Sequence, residues 1–208
     1  MTPRQKYNAL LAQKVIKELG NRNIQGFYCE TKKEALEKVL QMIPKGSVVS
    51  WGGSETLGEV GLTDAIKNGE YKVLDPRAEK SGVEMDRVAH HALNADYYLM
   101  SANAISATGE LVNMDGIGNR VASLSYGPKH IIMVAGINKV EQSLDAAVAR
   151  AKTVAAPLCV LPHSKSEPVS FDDLIDKARV AASQLMITTM STFRDRIKVV
   201  IVGESLGF

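Results

Sequence analysis

Cysteine is scarce: Cys29 and Cys159 are the only two in 208 residues, far apart in sequence. Two such thiols build no disulfide framework and fit a reduced compartment. Charge of one sign is not in excess either. Lys+Arg 25 against Asp+Glu 23 leaves a net charge of +2, with no Lys/Arg block. That balance argues against a nucleic-acid partner. No apolar run approaches the roughly 18 residues needed to span a bilayer, so no membrane partner is expected. From Met1 to Lys17, Arg4, Lys6, Lys14 and Lys17 interrupt the apolar residues, unlike the core of a signal peptide. A cytoplasmic protein is the expectation. There is no internal repeat, heptad or low-complexity segment.

Metal ligands are equally thin. His90 and His91 are adjacent on an expected helix and point in different directions, and His130 and His163 are scattered. No metal site and no cofactor motif is expected. Ser54 has no evident base partner and no nucleophile-elbow motif around it.

What remains is ordinary globular composition, 45% apolar and 23% charged. The length suits one domain over residues 1–208. Tyr7, Leu11, Val15 and Leu19 recur at helical spacing and predict an opening helix that ends near Gly20. A short strand is expected from Ile24 to Cys29. Thr31 and Glu34 then form a capping box for a second helix. Ser47 to Trp51 reads as a buried strand broken by Gly52-Gly53, with a helix beginning at Ser54 and Glu55. Further strands are expected at Tyr71–Leu74, Tyr97–Ser101, Ile131–Ala135 and Ile197–Val202. Helices are expected at Val83–Asn94, Asn119–Tyr126, from beyond Lys139 to about Val154, and at Asp172–Gln184. Pro162 to Pro168 reads as a surface loop. Strands alternating with helices predict an α/β fold, a mostly parallel sheet flanked by helices.

Two loops carry the chemical signal. The first runs from Gly52 and Gly53 through Ser54 and Thr56. Glycine permits close ligand approach, and hydroxyls at a helix start can donate to an anionic oxygen. The plain alternative is a tight turn with Ser54 as N-cap. The second stretch runs from Asn103 to Arg120. Thr108-Gly109-Glu110 predicts one hairpin turn and Asp115-Gly116 another. Asn113, Gly116, Gly118, Asn119 and Arg120 crowd together after a strand, where open α/β sheets bind ligands. The alternative is two consecutive turns with a solvated arginine. Lys139, after Asn138 at the end of another strand, adds a positive charge at the same edge.

These loops resemble the lactate-utilisation (LUD) domain family, once listed as a domain of unknown function, DUF162. The resemblance rests on Gly52-Gly53-Ser54-Glu55-Thr56-Leu57, Asn103-Ala104-Ile105, Gly109-Glu110-Leu111-Val112-Asn113, Asp115 to Ala122, Gly127 to Lys139 and Val202 to Phe208. It implies a fold like that of ribose-5-phosphate isomerase, glucosamine-6-phosphate deaminase and the CoA transferases. In that superfamily the early glycine-rich loop commonly holds a phosphate or carboxylate, and homo-oligomers are expected. Some members are subunits of an iron–sulfur system that oxidises L-lactate. Many relatives carry a cysteine-rich run after their Ala-Ala-Pro segment; here Ala155-Ala156-Pro157 is followed only by Cys159. About four thiolates hold a cluster, so clusters are expected on partner subunits.

The resulting expectation is a domain binding a small anion or phosphorylated metabolite, accessory or regulatory in L-lactate utilisation. The alternative is an isomerase- or transferase-like enzyme acting by proton transfer next to a carbonyl. In that case Asp115 or Glu59 serves as acid or base. Asn103, Asn113 and Asn119 bond hydroxyls or an enolate-like oxygen, and Arg120 and Lys139 orient the anion.

Overall fold

The computed structural model describes residues 1–163 and 170–208. Helix α1 (Pro3–Gly20) leads to strand β1 (Gln25–Cys29), helix α2 (Lys32–Met42) and strand β2 (Val48–Trp51). Helices α3 (Glu55–Val60) and α4 (Leu62–Lys67), strand β3 (Lys72–Leu74), a 3-10 turn at Pro76–Ala78 and helix α5 (Gly82–Ala92) follow. Next come β4 (Tyr97–Met100), β5 (Ala104–Ser106), β6 (Leu111–Asp115), α6 (Asn119–Tyr126) and β7 (His130–Gly136). A 3-10 turn at Ile137–Lys139 precedes β8 (Val140–Glu141) and α7 (Leu144–Arg150). The helix continues through a π-helical segment, Ala151–Ala155, into α8 (Ala156–Val160), and ends in a 3-10 turn. Helix α9 (Phe171–Ala181) and strands β9 (Gln184–Thr188) and β10 (Ile197–Val202) complete the order.

Six strands form a wholly parallel sheet in the order β1-β10-β7-β4-β2-β3. Alternate residues of the central strands serve opposite faces, as strand geometry requires. Tyr98, Met100, Ile131, Met133, Val199 and Ile201 pack with Ala12, Val15 and Leu19 of α1 and Leu124 of α6. Leu99, Ile132, Val134, Val200 and Val202 pack with Ala35 and Val39 of α2, Leu57 of α3 and Ile66 of α4. A sheet buried on both faces explains why these strands read as continuous apolar runs. After β2 the chain moves outward to β3. After β4 it moves the other way, to β7. The ends of β2 and β4 therefore flank a crevice, the usual ligand position in an open α/β sheet.

A second, smaller sheet has the order β8-β5-β6-β9, with β6 antiparallel to both neighbours. Its β5–β6 hairpin turns at Ala107–Glu110, where Gly109 takes a left-handed φ of 95°. The turn is tied down by Glu110, which accepts hydrogen bonds from the Ser106 and Thr108 hydroxyls and pairs with Arg22 of the segment between α1 and β1.

Several local expectations shift. The buried face of α1 is Asn8, Ala12, Val15 and Leu19, while Tyr7 is exposed; Asn8 Nδ2 donates to Gly203 O at 3.1 Å. Thr31 caps α2, but Glu34 reaches past it to accept from Glu30 N–H, so the box is half formed. The expected helix after Lys139 starts only at Leu144, where Ser143 caps it and β8 intervenes. Asp115-Gly116 is not a hairpin. The Asp115 carboxylate accepts from the N–H groups of Gly116, Arg120 and Val121 and turns the chain into α6. Gln184 belongs to strand β9, not to the preceding helix. The loop expected over Pro162 to Pro168 lies, from 164 onward, outside the described residues. Among the described residues no helix is long and apolar enough to cross a membrane.

Candidate functional site

The ends of β2, β4 and β7 deliver three chain segments to one edge of the sheet. Beyond β2, Gly52 and Gly53 lead to Ser54, whose hydroxyl oxygen caps α3 by accepting from Leu57 N–H at 3.3 Å. That is the plain reading of Ser54, and it leaves the hydroxyl hydrogen free. Neither Gly52 nor Gly53 has a positive φ. These two positions are glycine for another reason. A Cβ at Gly52 would fall 2.5 Å from Arg120 Cδ, and one at Gly53 would fall 2.7 Å from Arg77 Cζ. Two arginine side chains lie across the two glycines.

Arg120 is anchored. Its Nη2 donates to Met114 O at 2.6 Å, and it pairs with Asp115 at 3.3 Å. Arg77 is not. Its backbone N–H donates to Asp75 Oδ1, and among the described residues nothing accepts from its guanidinium. Tyr98 lies beneath Gly52, its phenol pushed up to about 12, mainly by burial, so it stays protonated.

Lys139 closes the far side. It is only 4% exposed, yet its Nζ donates to two neutral hydroxyls, Thr56 Oγ1 at 2.9 Å and Ser101 Oγ at 3.1 Å. Burial, then the nearby Arg150 and Arg120 charges, hold its pKa at about 7 against the ordinary 10.5; Glu59 partly opposes them. Arg150 is itself fixed by donating to Asn138 O at 3.1 Å and Asn103 O at 2.5 Å.

These groups enclose a cavity of about 70 Å³ lined by Ser54, Thr56, Ser101, Asn103, Arg120 and Lys139, with Gly53, Arg77, Cys159 and Phe208 at its margins. Such a volume suits a ligand of a few non-hydrogen atoms, well below the roughly 300–1,000 Å³ of drug-sized sites. It abuts a wider cleft of about 650 Å³ that shares Gly53, Arg77, Arg120 and Cys159 and adds Asp115, Gly118 and Asn119.

The structure thus brings Gly53, Ser54, Thr56, Asn103, Arg120 and Lys139 together in one cavity. Gly52 supports Arg120 from beneath. Asp115, Gly118 and Asn119 face only the outer cleft. The remaining candidates hold the scaffold. Glu59 accepts from Gly207 N–H, and Asn138 Oδ1 accepts from Leu206 N–H, so both secure the terminal segment. Asn113 is buried and donates to Ser101 O, while the Gly116 carbonyl accepts from Ser183. Asn103 Oδ1 accepts from Met114 N–H. Arg77 was not apparent in the sequence, although it follows β3 at the same sheet edge as the two loops. Ser101 and Arg150 were also missed, lying at a strand end and inside a helix.

Comparison with known proteins agrees with this architecture. A crystal structure of a DUF162 family protein from Deinococcus radiodurans shares 16% identity, covers 94% of this chain and 98% of its own, and superposes with a TM-score of 0.55. Crystal structures of eIF2B delta from Chaetomium thermophilum and of the tetrameric eIF2B-beta2-delta2 complex from C. thermophilum align more weakly. Their identities are 20% and 17%, with TM-scores of 0.36 and 0.40, and they cover 53% and 82% of this chain and 48% and 55% of theirs. A search of curated proteins gives no match. A family model described as the LUD domain matches residues 12–202, a stretch that includes both glycine-bearing loops, Arg77 and Lys139. The chain belongs to the LUD-domain family.

Proposed function

We propose that the cleft binds a small carboxylate or phosphorylated anion, and that the chain acts as an accessory or regulatory binding subunit in L-lactate utilisation. Membership of the LUD-domain family supports a role in lactate utilisation. The observation that carries the anion reading is the convergence of Arg77, Arg120 and Lys139 on one cleft where, among the described residues, Asp115 alone forms an ion pair with any of them. Arg77 offers a fork of N–H donors suited to a carboxylate or phosphate. The Ser54 hydroxyl hydrogen adds a further donor. Iron–sulfur chemistry, in this reading, resides on partner subunits, since two cysteines cannot hold a four-thiolate cluster.

A second reading, proton transfer next to a carbonyl, is favoured by one observation, the depressed pKa of Lys139. A base near neutrality is what such chemistry requires. Lys139 then takes the base's role, because Asp115 caps α6 and Glu59 holds Gly207.

Calorimetric titration with phosphate, L-lactate and pyruvate tests the primary reading. At least one should bind at a single site, and Arg77→Ala should weaken it about tenfold or more, the worth of one charged hydrogen-bond pair. No binding by any of the three would sink it.

A further inference from the structure

We propose that Lys139 is an amine nucleophile, capturing the carbonyl of a small 2-oxo acid as a reversible imine while Arg77 and Arg120 hold the acid's carboxylate. The proposal rests on the anion-binding reading of the same cleft and names the substrate class and the atom that engages it.

Hydrogen-bond directions around Nζ carry the argument. The Thr56 hydroxyl donates to Leu206 O at 3.4 Å, and the Ser101 hydroxyl donates to Ala102 O at 3.3 Å. With their hydrogens committed to carbonyls, both hydroxyl oxygens are left to accept from Nζ, at 2.9 and 3.1 Å. A neutral amine has two N–H groups and one lone pair. In the neutral form both N–H groups are taken and the fourth tetrahedral direction is the lone pair; in the ammonium that direction would carry a third N–H that no described residue accepts. A buried lysine ammonium is ordinarily paired with an opposite charge. Among the described residues none lies within ion-pair distance of this one, and burial, Arg150 and Arg120 act against the ammonium while Glu59 opposes them. The surroundings therefore favour the form that can attack a carbonyl, which is how buried lysines serve as Schiff-base residues.

Space is kept open at the same nitrogen. Gly207 takes a left-handed φ of 56°, and a Cβ there would overlap Thr56 Oγ1 and fall 3.3 Å from Lys139 Nζ. Any larger residue would press on the amine. The cavity of about 70 Å³ then limits the ligand to a few non-hydrogen atoms, and the arginines select a carboxylate beside the carbonyl.

The step balances without an oxidant or a reductant. The Nζ lone pair bonds to the carbonyl carbon and one Nζ proton passes to the carbonyl oxygen, giving a carbinolamine. The second Nζ proton leaves with the hydroxyl as water, and a C=N bond replaces C=O. Protonated, that imine withdraws electrons from the adjacent carbon and makes its C–H bond acidic. Imine formation therefore serves ligand capture and the proton-transfer reading alike.

Reductive trapping on the full chain tests this. The protein is incubated with pyruvate, 2-oxobutyrate or glyoxylate, sodium cyanoborohydride is added, and intact and peptide masses are measured. With at least one acid, the expected product gains the mass of one acid less one oxygen atom, on Lys139 alone. Lys139→Arg, which removes the nucleophilic amine, should give no adduct. Because that variant alters a buried position, Arg77→Ala provides the second arm. Its adduct should form on Lys139 with an apparent affinity about tenfold weaker. If the acids bind by calorimetry but no Lys139 adduct is trapped, the imine is wrong and the anion site stands. If neither binding nor trapping occurs, both fail. Adducts spread over surface lysines and unchanged in Lys139→Arg would also overturn the proposal.

Discussion

A side-chain carbon on Gly53 would overlap the guanidinium of Arg77, lying 2.7 Å from its Cζ. The glycine pair thus makes room for arginines, and the two positions differ in what they displace. At Gly53 the obstacle is the free end of an exposed side chain, which can swing away. At Gly52 it is the middle of Arg120, pinned by Met114 O and Asp115. Gly53→Ala should leave the melting temperature within about 2 °C while weakening anion binding. Gly52→Ala should cost roughly 1–3 kcal/mol through overpacking, several degrees in a chain of this size. Thermal denaturation beside titration calorimetry checks both. Equal melting temperatures would contradict the difference in anchoring.

The two arginines should separate in the same way. Arg120→Ala removes the bonds to Met114 O and Asp115 and leaves a carboxylate 6% exposed without its partner, so stability should fall along with affinity. Arg77→Ala should lose affinity only. A stable Arg120→Ala with normal affinity would assign that residue no part in the site.

Lys139 gives stability a pH signature. Its folded pKa, about 7, lies below the unfolded value near 10.5, so the unfolded chain binds more protons between those two values. The cost of burying the charge is complete below pH 7 and disappears as pH rises toward 10.5. Lys139→Met should therefore melt higher than the parent by at least about 5 °C near pH 6, with the gap closing by about pH 10. A gap that is constant with pH would mean that Lys139 is not charged and buried as described.

Glu110 should show a slope of the same sign at lower pH, because its folded pKa also lies below the unfolded one. Burial works against its ionisation, but donation from the Ser106 and Thr108 hydroxyls, with the Arg22 charge, outweighs burial and holds its pKa low. The stabilisation is present above the ordinary carboxylate pKa and is lost as pH falls through the folded value. Glu110→Gln should be less stable than the parent at neutral pH, and acidification should bring the two melting curves together.

The parallel sheet was legible because its central strands are buried on both faces, so Ile131 to Ala135 and Val199 to Val202 are apolar without interruption. Strand β9 was not, because Gln184, Leu185 and Ile187 are exposed at a sheet edge and lack that signal. The two loops were legible as a pair because parallel strands send their ends to one edge. Arg77 escaped because a three-residue turn after a three-residue strand carries little pattern. The capping role of Asp115 was not legible because a carboxylate beside glycines looks the same in sequence whether it faces a ligand or caps a helix. Only coordinates reveal its three backbone donors.

The π-helical segment Ala151–Ala155 can be viewed as one residue inserted into an otherwise regular helix and absorbed there, as such wide turns commonly are. In an unbroken α-helix, nine residues of about 100° each would put position 159 on the side opposite position 150. The wider turn brings Arg150, Ala155 and Cys159 round toward one side, where Arg150 grips Asn103 O and the other two line the cavity. Deleting a single residue among 152–154 would leave eight steps of about 100° between those positions, so regular winding would return with α8 still facing the cavity, whereas straightening the wide turn without a deletion would rotate α8 away and open the cavity wall.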